Sequence, residues 1–408
     1  MAGPRNPLAI ESPATRRKRE ESIRRSLREG ADAGYLTSLF RRDVLVERAV
    51  RGMHQRLEVQ FVSNIFGPVL RSVAGYLATR PESAPLIVVE VGTPPLPPAR
   101  EAVPAPLVTA LDRILANGGQ PMIATLRSDL EELAHQEVAF VAKAAVRHFG
   151  AENLQSALAT TPATSGSEPV SGPMVPPAAQ PIANAIVQRA QAAPMLGAVV
   201  EKTWGKALGG LKSRVEQVVG DGLARGQTTD QIVQALRGTR AQKYQDGVLV
   251  KWKSQNIRTF VRTAATNAVT QAREGSYAAL GAPYVRLVAT LDLRTTPICV
   301  LLDGTVYKVG EGPRPPLHPG CRTAVAPAWD VEPRDYGGKR ASRFGPVSDL
   351  TTARDLFLRH TEEEQASMVG KTRAEAIRSG KIEWRQMFGP SLEFLTLADL
   401  RAKGLLAG

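Results

Sequence analysis

Between residues 161 and 181 the chain reads TPATSGSEPVSGPMVPPAAQP, and this stretch limits the possible folds more than any other. Its six prolines carry no backbone N–H, and almost none of its side chains is both large and apolar. Such a segment cannot bury enough surface to offset the entropy of ordering it, so neither a helix nor a strand is expected to run through it. Residues 153–182 are therefore read as a linker, which would let one module dock while another reaches away. They leave an N-terminal helical region at 1–152, a second module at 183–332 and a C-terminal helical extension at 333–408. With 408 residues there is chain enough for two or three cores.

Before the linker, Leu39, Val44, Leu45, Val46, Leu57, Phe61, Ile65 and Leu70 recur at helical spacing among Arg and Gln, which predicts a helical arm or bundle over residues 20–80. The run LIVVEV offers a short strand, and the proline-rich GTPPLPPAREAVPAP after it an extended connector. A further helical tract follows over residues 107–150. Past the linker, Thr228 and Gln231 form a capping-box pattern ahead of a short helix. A longer helix is predicted from Ser254 to Leu280, with Ile257, Phe260, Val261, Ala264, Ala265, Ala268, Val269 and Ala272 on its apolar stripe and Gly281 as its stop. Arg258, Arg262, Thr266, Asn267, Thr270 and Arg273 fall on the opposite face, which reads as solvated. YVRLVATLDLR has the period of a strand, and VLLDGTVY reads as a hairpin turning at Asp303 and Gly304. The fold class expected is α+β, mainly α-helical, with a small β-sheet in the second module.

The formal net charge of +13 favours polyanionic partners such as double-stranded DNA. Arg16, Arg17, Lys18, Arg19, Arg24 and Arg25 concentrate that charge near the start; the cluster reads equally as a solvated terminal helix or as a contact with nucleic acid or an acidic protein. The apolar runs are too short to span a bilayer, and no signal-peptide pattern opens the chain, so neither membrane insertion nor export is expected. Two cysteines cannot staple a disulfide scaffold, and a reducing compartment is the default. Phosphate-cradling glycine loops, serine elbows and zinc-protease helix motifs are missing from the sequence, which argues against an enzyme.

The remaining chemistry gathers in GPRPPLHPGCR, residues 312–322. His318, Pro319, Gly320 and Cys321 suit a type II turn, which brings an imidazole and a thiol to one point, the spacing of a metal-binding knuckle. Pro313, Pro315 and Pro316 stiffen the approach. Cys299 is expected to be carried back to the same place, with Asp292 or Asp303 as the nearest carboxylate for a fourth position. Four readings stand side by side: a structural zinc site on Cys299, His318 and Cys321, packed metal-free thiols, a Cys299–Cys321 disulfide, and a catalytic thiolate or metal-bound water. Neither cysteine is expected at a helix N-terminus.

The run LDLRTTPICVLLDGTVYKVGEGPRPPLHPGCR resembles the signature of the phage head morphogenesis proteins, the Mu F-like minor head protein family. Asp292, Arg294 and Thr295 match its opening, Cys299 its cysteine, Asp303 and Gly304 its Asp-Gly, and His318, Pro319, Cys321 and Arg322 its close. The helices before this run are similar to the family's, and a capping box at Thr361 and Glu364 opens a C-terminal extension of a kind seen in it; together the likeness covers roughly residues 200–400. The resemblance implies a low-copy, noncatalytic component inside the head or procapsid of a tailed bacteriophage, present in the host cytoplasm during assembly. Its implied partners are the portal protein, other head proteins or scaffold, and packaged DNA. The alternatives weighed beside it are a nucleic-acid-processing or ADP-ribose-transferring enzyme and a nonspecific DNA-binding protein.

Overall fold

The computed structural model of the chain describes residues 32–79, 103–149, 180–332 and 339–406. The basic cluster from Arg16 to Arg25, the LIVVEV strand and most of the linker lie outside them. The order of elements is α1 (Asp32–Phe61), a π-helical turn (Val62–Phe66), α2 (Gly67–Ala78), α3 (Ala105–Phe149), α4 (Gln180–Ala192), α5 (Val200–Ala224), α6 (Thr229–Arg237) and α7 (Val248–Trp252). A second π-helical turn (Lys253–Ile257) leads into α8 (Arg258–Ala279), followed by β1 (Tyr284–Val288), α9 (Pro297–Leu302), β2 (Val306–Lys308) and β3 (Ala324–Ala328). The chain continues through β4 (Lys339–Ser342), β5 (Gly345–Ser348), α10 (Ala353–Phe357), α11 (Glu362–Val369), α12 (Lys371–Arg378) and α13 (Leu397–Ala402). The architecture is α+β and mainly helical, as expected.

Two compact units emerge, each assembled from separated runs of chain. One comprises Arg48–Leu130 and Gly197–Ala264, and its named elements are all helices among the described residues. Met53, Leu57, Phe61, Ile65, Val69, Val73 and Leu77 recur every four residues along its first helices and are all buried. Aromatic rings close this core: Phe61 stacks on Trp252 at 5.3 Å and Trp204 meets Phe260 at 5.0 Å. The Gly118–Gly119 pair inside α3 permits the approach of its neighbours, since a Cβ on Gly118 would stand 2.5 Å from the Asn64 carbonyl oxygen. Thr228 and Gln231 do form the capping box that opens α6.

The other unit holds the described residues of Met1–Glu47, Glu131–Leu196 and Ala265–Gly408. Its sheet has the order β2-β1-β3, antiparallel throughout, with Val285 opposite both Tyr307 and Pro327. The central strand is covered on both faces, Val285 and Leu287 being buried on one and Arg286 and Val288 on the other, and a large apolar cluster extends from it through α9 and the C-terminal helices. α4 opens at Gln180, inside the stretch read as linker, and Pro181 sits in its first turn, where a missing N–H costs nothing. Gly281, at φ 78°, ends α8 as expected, with the Ala282 N–H returning to the Tyr277 carbonyl.

Three expectations are corrected here. Val44 and Leu45, read as apolar helix positions of a core, are exposed. The polar face of α8 is not solvated over its second half: Asn267, Thr270 and Arg273 are buried. Arg273, 1% exposed, donates to Glu137, 0% exposed, at 2.7 Å and to Asp43 at 2.6 Å, and Arg42 reaches Glu137 at 3.0 Å. The third concerns VLLDGTVY, which forms no hairpin. Its first residues belong to α9, which Pro297 starts and whose residues Cys299 to Leu302 are all buried, while β2 pairs with β1 instead.

A buried guanidinium stripped of its carboxylate keeps the full cost of desolvation. Glu137→Leu is therefore expected to lower unfolding stability by about 3 kcal/mol or more, read from chemical denaturation of the full chain. A change within experimental error would place this network in water.

Candidate metal centre

The corner that carries the cysteines is built from the backbone outward. The Cys321 N–H bonds to the His318 carbonyl at 3.2 Å and Gly320 takes φ 74°, the geometry of the type II turn that the sequence predicts. From α8, the Thr266 hydroxyl donates to the Cys321 carbonyl at 2.8 Å and fixes the turn against that helix. The approach is pinned by more than proline. Glu274 of α8 accepts from the Gly310 N–H at 2.7 Å and from Arg314 Nε at 2.9 Å, and the Pro315–Pro316 peptide is cis.

Cys299 reaches this corner from the first turn of α9, a position that the hairpin reading missed. Its Sγ lies 3.8 Å from Cys321 Sγ and 3.2 Å from His318 Nε2. Both cysteines are free thiols and buried. His318 Nδ1 stands 2.8 Å from the Pro319 carbonyl, so the ring donates there and turns the Nε2 lone pair toward the sulfurs. The Thr296 hydroxyl, 2.9 Å from Nε2, donates to that same lone pair. The hydrogen bond from Cys299 holds the Cys321 thiol down at about 4 against the opposing effect of burial, while Cys299 is pushed up by the same bond and by its own burial. Burial pushes the His318 imidazole down, but the bond and charge of Cys321 outweigh it and hold it above the usual value.

The ligand atoms of Cys299, His318 and Cys321 all lie within 4.8 Å of one another, close enough to bind one metal ion. The donor set fits zinc. Bond lengths of about 2.3 Å to sulfur and about 2.0 Å to nitrogen put tetrahedral sulfurs about 3.8 Å apart and a nitrogen about 3.5 Å from each, so His318 Nε2, at 3.2 Å from Cys299 Sγ, need only move back slightly. The sulfurs already have that separation, and His318 carries the carbonyl partner that usually orients a ligating imidazole.

Asp292 is not the fourth ligand. Its two oxygens accept from Arg322 at 2.6 Å each, a bidentate clasp between the loop after β1 and the entry to β3. The same carboxylate accepts from the Arg294 N–H at 3.0 Å and the Thr295 hydroxyl at 3.2 Å. Asp303, the other carboxylate considered, is 0% exposed and serves as an anchor. It accepts from the backbone N–H of Ala289 and of Ala353, both at 2.7 Å, and from Arg340 at 3.2 Å. Gly304 follows at φ 81°, where a Cβ would stand 2.9 Å from Thr352. Thr266 is read from the sequence only as part of a solvated helix face, and Thr296, Thr323, Arg340 and Arg354 are not singled out there at all. Arg354 bonds the carbonyls of Leu301 and Asp303. Only the proximity of Thr296 and Thr323 to the two cysteines in sequence signals any of them.

The pieces of one sequence run thus converge on clasp, anchor and corner. Residues 213–326 match the family of phage Mu protein F like proteins. This Mu F-like region opens within α5, closes within β3 and contains the whole corner, and it bears out the resemblance read from the motif, that of a phage head morphogenesis protein. The family is a structural one. No curated protein and no solved structure matches the chain.

The Asp292 carboxyl is held below its ordinary value: burial alone would raise it, but the hydrogen bonds and charge of Arg322 outweigh that. A carboxyl lowered by folding contributes stability that is present above its unfolded value and lost as pH falls through the folded one. For a clasp that stays partly exposed this amounts to under about 1 kcal/mol. Urea unfolding of wild type and Asp292→Asn should differ near neutrality and converge below pH ~4. A gap that ignores pH would contradict the clasp.

Proposed function

We propose that this chain is a noncatalytic minor head protein of a tailed bacteriophage, carried inside the head or procapsid, docked at the portal and serving genome packaging or delivery. The observation that carries the reading is the Mu F-like match over residues 213–326, which contains every element of the buried corner. Its other partners on this reading are head proteins or scaffold and the packaged double-stranded DNA, for which a net charge of +13 is suited. On this reading the chain assembles in the host cytoplasm without a membrane partner; no helix of the described residues is long and apolar enough to cross a membrane.

On this reading Cys299, His318 and Cys321 hold a structural zinc ion, which would stiffen the corner as a fixed part of an assembly subunit. An enzyme is less well supported. Both oxygens of Asp292 are taken by Arg322, and no other carboxylate joins the three ligands among the described residues, so no free carboxylate stands there to serve as a general base.

Tagged full-length chain is expected to retrieve portal protein from procapsid lysates, and deletion of its gene to yield noninfectious or misassembled heads while packaging enzymes stay active. Normal infectious titres without it would overturn the role. For the metal, the purified chain is expected to contain zinc in equimolar amount, lost in Cys321→Ser. Wild-type protein free of metal after purification without chelators would return both cysteines to ordinary packing.

A further inference from the structure

Among the described residues the metal group stops at three ligands, whereas tetrahedral zinc takes four. Two of the three ligands, Cys299 and His318, face a small cleft that is also lined by Arg294, Thr296, Arg322 and Thr323 among others. Two hydroxyls in that lining are placed to become donors. Thr323 is only 3% exposed, yet its Oγ1 has no hydrogen-bond partner. Half-buried Thr296 donates to His318 Nε2, the lone pair that a metal would take, so metal binding frees its hydroxyl to turn toward the cleft. A buried donor without an acceptor is costly, and the remedy lies in whatever occupies the fourth position.

The charges around the cleft select the kind of occupant. Zinc with two thiolates and a neutral imidazole carries no net charge, and Arg322 is neutralised by Asp292. Arg294 lies at the mouth with its side chain 74% exposed, and the nearest acid, Asp292 at 3.9 Å, is already spent on Arg322. The cleft is therefore electropositive by about the charge of Arg294, and the buried Thr323 hydroxyl in it calls for an acceptor. A carboxylate meets both demands, because one oxygen can bind metal and accept from hydroxyls while the other faces a guanidinium.

We propose that the Cys299–His318–Cys321 metal centre keeps an exchangeable fourth position that takes a carboxylate, supplied in the assembly by an acidic side chain of a neighbouring protein. This rests on the metal reading above and gives that centre a docking role. The corner then joins subunits through a metal–carboxylate bond, with Arg294 as the residue that selects the anion.

Full-length protein loaded with Co²⁺ in place of zinc tests it directly, since the visible spectrum of tetrahedral cobalt reports a change of one ligand. Titration with acetate is expected to shift the d–d bands saturably, and Arg294→Gln to weaken the apparent acetate affinity about ten-fold with cobalt still bound. Bound cobalt whose spectrum ignores acetate would show the fourth position closed and would overturn the inference while leaving the metal site intact. A shift with inorganic phosphate but not with acetate would overturn the choice of carboxylate. Failure to bind cobalt or zinc at all would remove the metal reading itself, and this proposal with it.

Discussion

A fully buried carboxylate must find several donors at once, and the solution that this chain adopts for Asp303 organises everything around it. Its oxygens draw in the end of β1 at Ala289, the start of α10 at Ala353 and the Arg340 guanidinium of β4. Three pieces of chain far apart in sequence are thus tied to one point where the dielectric is low, and where any missing bond would be costly. The helix that carries Cys299 ends at this anchor, so the position of the first thiol follows from the satisfaction of one charge. Arg354, bonded to the carbonyls at the end of α9, fixes the same helix from outside.

The second thiol is placed by a different economy. Its turn is local, set by Pro319 and by Gly320 at positive φ, but its orientation is not. That comes from Thr266 on α8 and from the Asp292–Arg322 clasp. Since Arg322 directly follows Cys321, a clasp on the arginine holds the sulfur beside it. The motif therefore contains few groups that do chemistry and many that fix geometry. Such a composition suits a component whose task is to keep a shape during assembly.

Much of this was legible in the sequence wherever the determining contacts are short in range. The turn at His318–Cys321, the capping boxes at Thr228 and Thr361 and the glycine stop of α8 were all read correctly, because each depends on residues within about five positions of one another. The meeting of His318 and Cys321 is legible from that same turn, whereas Cys299, expected there on a hairpin that does not form, arrives on the first turn of α9 instead. What escaped was long in range. Asp303 and Gly304 look like a hairpin turn in isolation, and only Arg340 and Ala353, many residues later, turn the carboxylate inward. Arg273 sits at a position that pattern alone calls solvent-facing, yet Glu137 and Asp43 lie far upstream and draw it into the interior. Asp292 was offered to a metal because its true partner, Arg322, was seen only as the end of a motif.

The two compact units each draw chain from before residue 150 and from after residue 179. The proline-rich passage between those points therefore marks no seam along which the protein divides. A cut there severs covalent continuity inside both hydrophobic interiors, so neither half of the polypeptide inherits a complete one. Ribosomal order then matters: the helices made first wait with apolar stripes uncovered until the later ones emerge, and folding finishes only after most of the polypeptide has been synthesised.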